Sequence, residues 1–122
     1  MITEPSLEIS VVEVIGIFLK DGKIKESDKK KFIPLPDEKT DLIGTLSGVD
    51  LPNAGILKDD YVIFEKNAKR DGIALAKIAK SFVVGSIKRS EFKDLSGKKY
   101  DNFKIIGSFY GILRVPKREG MR

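Results

Sequence analysis

The chain has 122 residues, 41% hydrophobic and 34% charged, with 23 Lys and Arg against 18 Asp and Glu and a formal net charge of +5. That length suffices for one domain whose core needs no disulfide or metal staple. The absence of Cys and His excludes disulfides, thiolate chemistry, imidazole ligands and any histidine general base. What remains is serine or threonine activated by lysine, or carboxylate chemistry.

In chain order the pattern is strand-like almost throughout. Leu7, Ile9 and Val11 alternate with polar residues, then Val12 and Val14 take over the apolar positions; this change of parity predicts a bulge or a passage between sheets. Residues 20–31 carry Lys20, Lys23, Lys25, Lys29, Lys30 and Lys31 against Asp21, Glu26 and Asp28. They read as a polar loop with a turn at Asp21 and Gly22. Residues 32–36 are extended, because Pro34 and Pro36 bias their predecessors away from helix. Residues 42–46 make a short strand, residues 53–55 a turn or single helical twist, and residues 61–64 a continuous apolar strand at the centre of the fold. Asp59 and Asp60, adjacent on a turn, read as a solvated pair. Residues 73–79 and 82–84 form a hairpin about Lys80 and Ser81. Residues 90–102 read as a polar excursion turning at Ser96 and Gly97. Residues 103–115 form a last long strand, with Gly107 and Gly111 as bulges or points of close approach. Residues 117–122 are a frayed tail.

No helix of convincing length is expected, so no helix-turn-helix reader. No run of 18 apolar residues and no leader-like N-terminus is seen, so a cytoplasmic protein without membrane contact is expected. The expected fold is all-β: a single domain over 1–122 built from short coiled sheets, with its core in 11–115. No metal-ligand set, phosphate-binding glycine loop or cofactor motif is present.

Four pieces of sequence resemble the C-terminal domains of LexA, UmuD and the phage repressors, which are self-cleaving Ser–Lys peptidases. Val14, Ile15 and Gly16 followed by Asp21 and Gly22 resemble the first strand and cleavage loop. Gly48, Asp50, Gly55, Ile56 and Asp60 running into Tyr61 resemble the nucleophile segment. Asp71, Gly72, Ile73, Ala74, Leu75 and Ala76 resemble the strand that follows, and residues 105–114 resemble the closing strand. The resemblance implies a LexA and signal-peptidase-like (β-clip) fold. It also implies a nucleophile at position 50 and a catalytic lysine at position 85. This chain has Asp50 and Gly85 there, and its cleavage loop, Lys20, Asp21 and Gly22, is charged where the family has a small apolar pair. Lys88 would need a bulge near Gly85 to replace the lysine, and Ser47 lies three residues from the attacking position, on the wrong parity. The expectation is a protein that is not an enzyme, with catalytic positions that have degenerated together.

Three functions compete on these grounds. The first is a silent LexA-like domain that works by dimerisation or protein–protein regulation, in transcription or the DNA-damage response, with a partner in a repressor or polymerase pathway. Its homodimer candidates are Phe103, Ile105, Ile106, Phe109 and Tyr110, which on a long strand serve as core at least as readily. The second is a basic β module for nucleic acid, using Lys29, Lys30, Lys31, Lys88, Arg89, Lys98 and Lys99 with Phe32, Phe92, Tyr100 and Phe103 as stacking groups. The third is a residual Ser–Lys peptidase. The first is favoured, because acids interleave with the lysines and both catalytic positions are altered.

Overall fold

The computed structural model describes residues 10–35 and 41–115, apart from the side chains of Ser10, Lys29 and Lys30. Nine strands follow in order: β1 (Ser10–Phe18), β2 (Ile24–Leu35), β3 (Leu42–Ser47), β4 (Tyr61–Lys66), β5 (Gly72–Ile78), β6 (Ser81–Lys88), β7 (Glu91–Asp94), β8 (Lys99–Tyr100) and β9 (Lys104–Leu113). The one helical element among the described residues is a single 3-10 turn, Pro52–Ala54. The fold is all-β as expected, and its strands join in one sheet of order β2-β1-β3-β4-β9-β5-β6-β7-β8. All neighbours are antiparallel except β1 and β3, which run parallel. Among the described residues no helix is long and apolar enough to cross a membrane.

The sheet curls until its two ends meet. β7 borders β6 only from Gly85 onward. Ahead of that point the exposed edge of β6 takes the turn between β1 and β2: Val84 N–H donates to Gly22 O at 2.7 Å, and Lys23 bridges Val83. Leu95 N–H continues this contact by donating to Asp21 O at 3.1 Å. Gly22 has to be glycine, because a Cβ there would stand 1.9 Å from Val84 O and its φ is +91°. The enclosed side holds Phe18, Ile43, Ile56, Val62, Phe64, Leu75 and Val84, contributed from both halves of the sheet. On the outer side of β1–β4 a second cluster forms around Val12, Val14, Tyr61 and Ile63. A third forms around Ala74, Ala76, Val83 and Phe92 on the outer side of β5–β7.

The expected change of parity in the first strand is present, displaced along the chain. A bulge between Val14 and Gly16 turns β1 over, so that Val12 and Val14 face the second cluster while Ile15 and Phe18 face the enclosed core. Leu7 and Ile9 lie outside the described residues, as do Pro36 and the tail 117–122. Gly107 is the predicted close approach, since a Cβ would sit 2.6 Å from Glu65 O. β9 is bulged against both neighbours, near Ile106 and near Tyr110.

Two expectations are corrected. Residues 20–31 are not a loop: from Ile24 they are the start of a twelve-residue edge strand paired to β1. An edge strand has solvent along one border and tolerates lysine there, which hides its alternation. Residues 90–102 are likewise not an excursion but the β7–β8 hairpin, held because Phe92 is fully buried and stacks against Phe103 at 5.5 Å.

Candidate functional site

The stretch from Ser47 to Asp60 closes one end of the enclosed core. Ser47 N–H donates to Asp60 O and Asp59 N–H to Ser47 O, both at 2.8 Å, so the stretch begins and ends side by side. Between them Leu51 pairs with Ile56 around the 3-10 turn, which Gly55 terminates in a left-handed conformation. Ile56 is fully buried, and Val49 and Leu51 pack on the same core. Gly48 N–H donates to Phe18 O at 2.9 Å, and a Cβ on Gly48 would collide with that oxygen. The β1–β2 turn carrying Lys20, Asp21 and Gly22 is therefore anchored beside Gly48 on one side and beside Val84 on the other.

Asp50 is exposed at the rim of this stretch, and one carboxylate oxygen accepts Lys58 N–H at 2.7 Å. It lines a cleft with Leu57, Lys58, Asp59, Asp60, Arg114 and Val115. Gly85 does not line that cleft. It pairs with Ala74 and Asp94 in the middle of β5–β6–β7. A Cβ at Gly85 would lie 2.1 Å from Lys93 O and 2.7 Å from the Phe92 ring, so no side chain of any kind can start there. The register of β6 is regular on both sides of Gly85. Lys88, three residues on, therefore points to the opposite face, and the bulge that would let it stand in for a lysine at 85 is absent. Ser47 is buried, donating its hydroxyl to Val49 O at 2.6 Å, and no lysine is among its hydrogen-bond partners.

Asp60, expected as half of a solvated pair, is instead 1% exposed. Its two oxygens accept Arg114 Nε and Nη2, each at 2.8 Å, and Leu57 N–H at 2.8 Å. Arg114 also reaches Gly55 O at 3.3 Å. The hydrogen bond from Arg114 is the main reason the Asp60 carboxyl lies below the ordinary range, opposed by burial and assisted by Leu57 N–H and the guanidinium charge. Sequence reasoning missed this clasp because its partners are 54 residues apart; the only signal was an arginine directly after the last apolar strand.

The other candidates scatter. Phe103, just ahead of β9, and Ile105 pack on the third cluster, while Ile106 and Phe109 pack on the enclosed core, so these four split between two clusters. Tyr110 is 36% exposed, and Ile112 and Val115 further along the chain are also exposed. Of the lysines, Lys31 donates to Tyr61 OH and lies over its ring. Lys98 lies over Tyr100, and Lys99 pairs with Glu91 at 2.8 Å. Lys88 and Arg89 are exposed at the β6–β7 turn, and the side chains of Lys29 and Lys30 lie outside the described residues. As stacking groups Phe92 is excluded by full burial and Tyr100 is held by Asp94, whereas Phe32 is exposed on the edge strand. Among the described residues no group of three or more acidic side chains is placed to hold a metal. Compared with known proteins, the chain matches no family model and no curated protein.

Proposed function

We propose that this chain is a catalytically silent domain of the LexA and UmuD type that acts by association, in the regulation of transcription or of the response to DNA damage. The observation that carries the reading is the packing at Gly85. Position 85, to which the resemblance assigns the lysine, does not line the cleft of Asp50, and its backbone is closed against Lys93 O and the Phe92 ring, so the two positions hold no dyad. Position 50 offers a carboxylate already engaged by a backbone N–H. A supporting feature is the β1–β2 turn, which spans from Gly48 to Val84 as a cleavage loop must if it is to reach both catalytic segments. That turn is fixed to β6 by the Lys23–Val83 bridge and the Val84–Gly22 hydrogen bond, so it closes the sheet instead of presenting a scissile bond.

Association would use the outer end of β9, where Tyr110 and Ile112 are exposed, and the residue beyond it, Val115, which is exposed and lines a cleft with Leu57. A two-fold contact of this patch with its copy is the simplest arrangement for a small homodimer. The test has two arms. Incubation at a pH of about 10.4, where a free lysine is half neutral, should leave a single intact mass; two fragments dividing near Gly22 would overturn the reading. Sedimentation should give a dimer that Ile112→Asp converts to monomer with the fold retained, and a monomer at every concentration would remove the proposed mode of action.

A further inference from the structure

The β6–β7 hairpin ends in the two-residue turn Arg89 and Ser90, both with positive φ, 51° and 67°. Such a turn matches the twist of its strands and is ordinarily given to Asn or Gly. An arginine there holds its guanidinium at the tip of the hairpin at a cost in backbone energy. Cations flank the tip on both faces. Lys88, Arg89 and Lys93, with Ser86 and Glu91, line a depression on one side; Lys69, Arg70 and Lys104, with Ser90 and Asp71, line another.

Arg70 is engaged by Glu65 and Phe109 O. Among the described residues, Lys69, Lys88, Arg89, Lys93 and Lys104 form no hydrogen bond or ion pair through their side chains. The local acids are few. Glu91 is held by Lys99 with Lys93 nearby, and Asp71 offsets one further charge. Lys93 also faces Lys99 directly across the sheet, a like-charged pair that Glu91 screens from the Lys99 side.

We infer that this end of the sheet docks the phosphate backbone of a nucleic-acid duplex, without reading its sequence. Phosphates supply the missing counter-charge to the cations on both faces of the hairpin, and the neutral hydroxyls of Ser86 and Ser90 add donors. A single strand is the poorer fit, since it needs stacking platforms and Phe92 is buried while Phe103 packs on the third cluster. A lipid surface is poorer too: Val11, Leu19, Phe32, Leu57, Tyr110, Ile112 and Val115, the large exposed apolar side chains, line neither depression. The inference does not rest on the lost chemistry at positions 50 and 85.

The test is fluorescence anisotropy of the intact chain with a mixed-sequence DNA duplex, titrated between about 50 and 200 mM NaCl. Binding should weaken with a log–log salt slope of about −4, each contacted phosphate contributing about −0.9. Replacing Lys88, Arg89 and Lys93 together by Gln should flatten that slope by about 3. The same change at Lys25, Lys58 and Lys80, exposed elsewhere, should leave the slope in place. No binding at the lowest salt, equal loss in both triple variants, or tighter binding to a single strand or to anionic vesicles would each overturn the inference.

Discussion

Asp60 and Asp94 are both nearly inaccessible, 1% and 5% exposed, and both carboxyls sit below the ordinary range, yet the donors around them differ in kind. Asp60 is held by a cation, Arg114, from 54 residues away, with one backbone N–H in support. Among the described residues Asp94 faces no cation. Burial pushes its carboxyl up more than any single bond lowers it, and the Ser96 hydroxyl, Lys98 N–H, Tyr100 OH and Ser96 N–H together outweigh that. All of those donors lie within six residues. A turn can fold its own backbone donors onto a carboxylate at little entropic cost. Joining the end of β9 to the loop at 55–60 means closing a long stretch of chain, and a bidentate charged pair supplies stronger, directed bonds for that purpose.

Substitution at Asp60 should break this comparison with the largest effect. Asp60→Ala removes the acceptor of three hydrogen bonds in a buried place and should cost about 3 kcal/mol, the low end for a broken buried pair because half of Arg114 remains in water. Asp60→Asn should lose most of the same stability, since it sets an amide N–H₂ toward the guanidinium. Urea denaturation gives the free energy, and amide exchange should quicken across 47–60, including Leu57. A loss below about 1 kcal/mol, the worth of an ordinary neutral hydrogen bond, would mean that the clasp does not hold the loop.

At Asp94 the expected effect is smaller and the pattern differs. Asp94→Ala should cost about 2 kcal/mol, as expected when buried donors lose their acceptor, with faster exchange confined to the β7–β8 hairpin. Asp94→Asn should cost less, because an amide oxygen still accepts from Ser96 and Lys98 and its N–H₂ can donate to the Tyr100 hydroxyl. The contrast between the two Asn variants is the sharper observation, since both remove one charge from a buried carboxylate. If both lost equal stability, charge would matter as much at Asp94 as at Asp60.

The two sites also differ in how far they could be read from sequence. Around Asp94, the Ser96 and Gly97 turn was legible, because turn residues act on their immediate neighbours. The strands flanking it were not, since each contributes one large apolar residue, Phe92 and Tyr100, too few to show a period. β3 to β6 were legible for the opposite reason: Ile43, Ile63, Leu75 and Val84 belong to apolar runs bounded by turns. β2 was hidden by lysines that an edge strand accepts, and the Asp60–Arg114 pair by its span. The glycines were read more surely as punctuation than as catalytic vacancies. Gly107 and Gly22 proved to be contacts of backbone against backbone, which a sequence marks only by the missing side chain.

The smallest expected effect separates charge from geometry. Both carboxyls have folded pKa values below the free value of about 3.9, so the folded state binds fewer protons than the unfolded one near that pH. Their contribution to stability is therefore complete above about pH 4 and is lost as pH falls below it toward the folded values. Acid alone weakens both sites in the same window and cannot tell them apart. Salt at neutral pH can. Arg114 is half-exposed, so added NaCl should screen its attraction for Asp60 and move the urea midpoint of the wild type slightly downward. The neutral donors around Asp94 have no charge to screen. Asp60→Asn should therefore lose this downward shift, whereas Asp94→Asn should keep it. The general repulsion, at net charge +5 in the wild type and, with one acid fewer, higher by one in both Asn variants, responds to salt in the opposite direction and cancels between the two variants. Equal salt responses in Asp94→Asn and Asp60→Asn would show that bond geometry, not charge, seats Arg114, and the two carboxylates would then hold the fold by the same means.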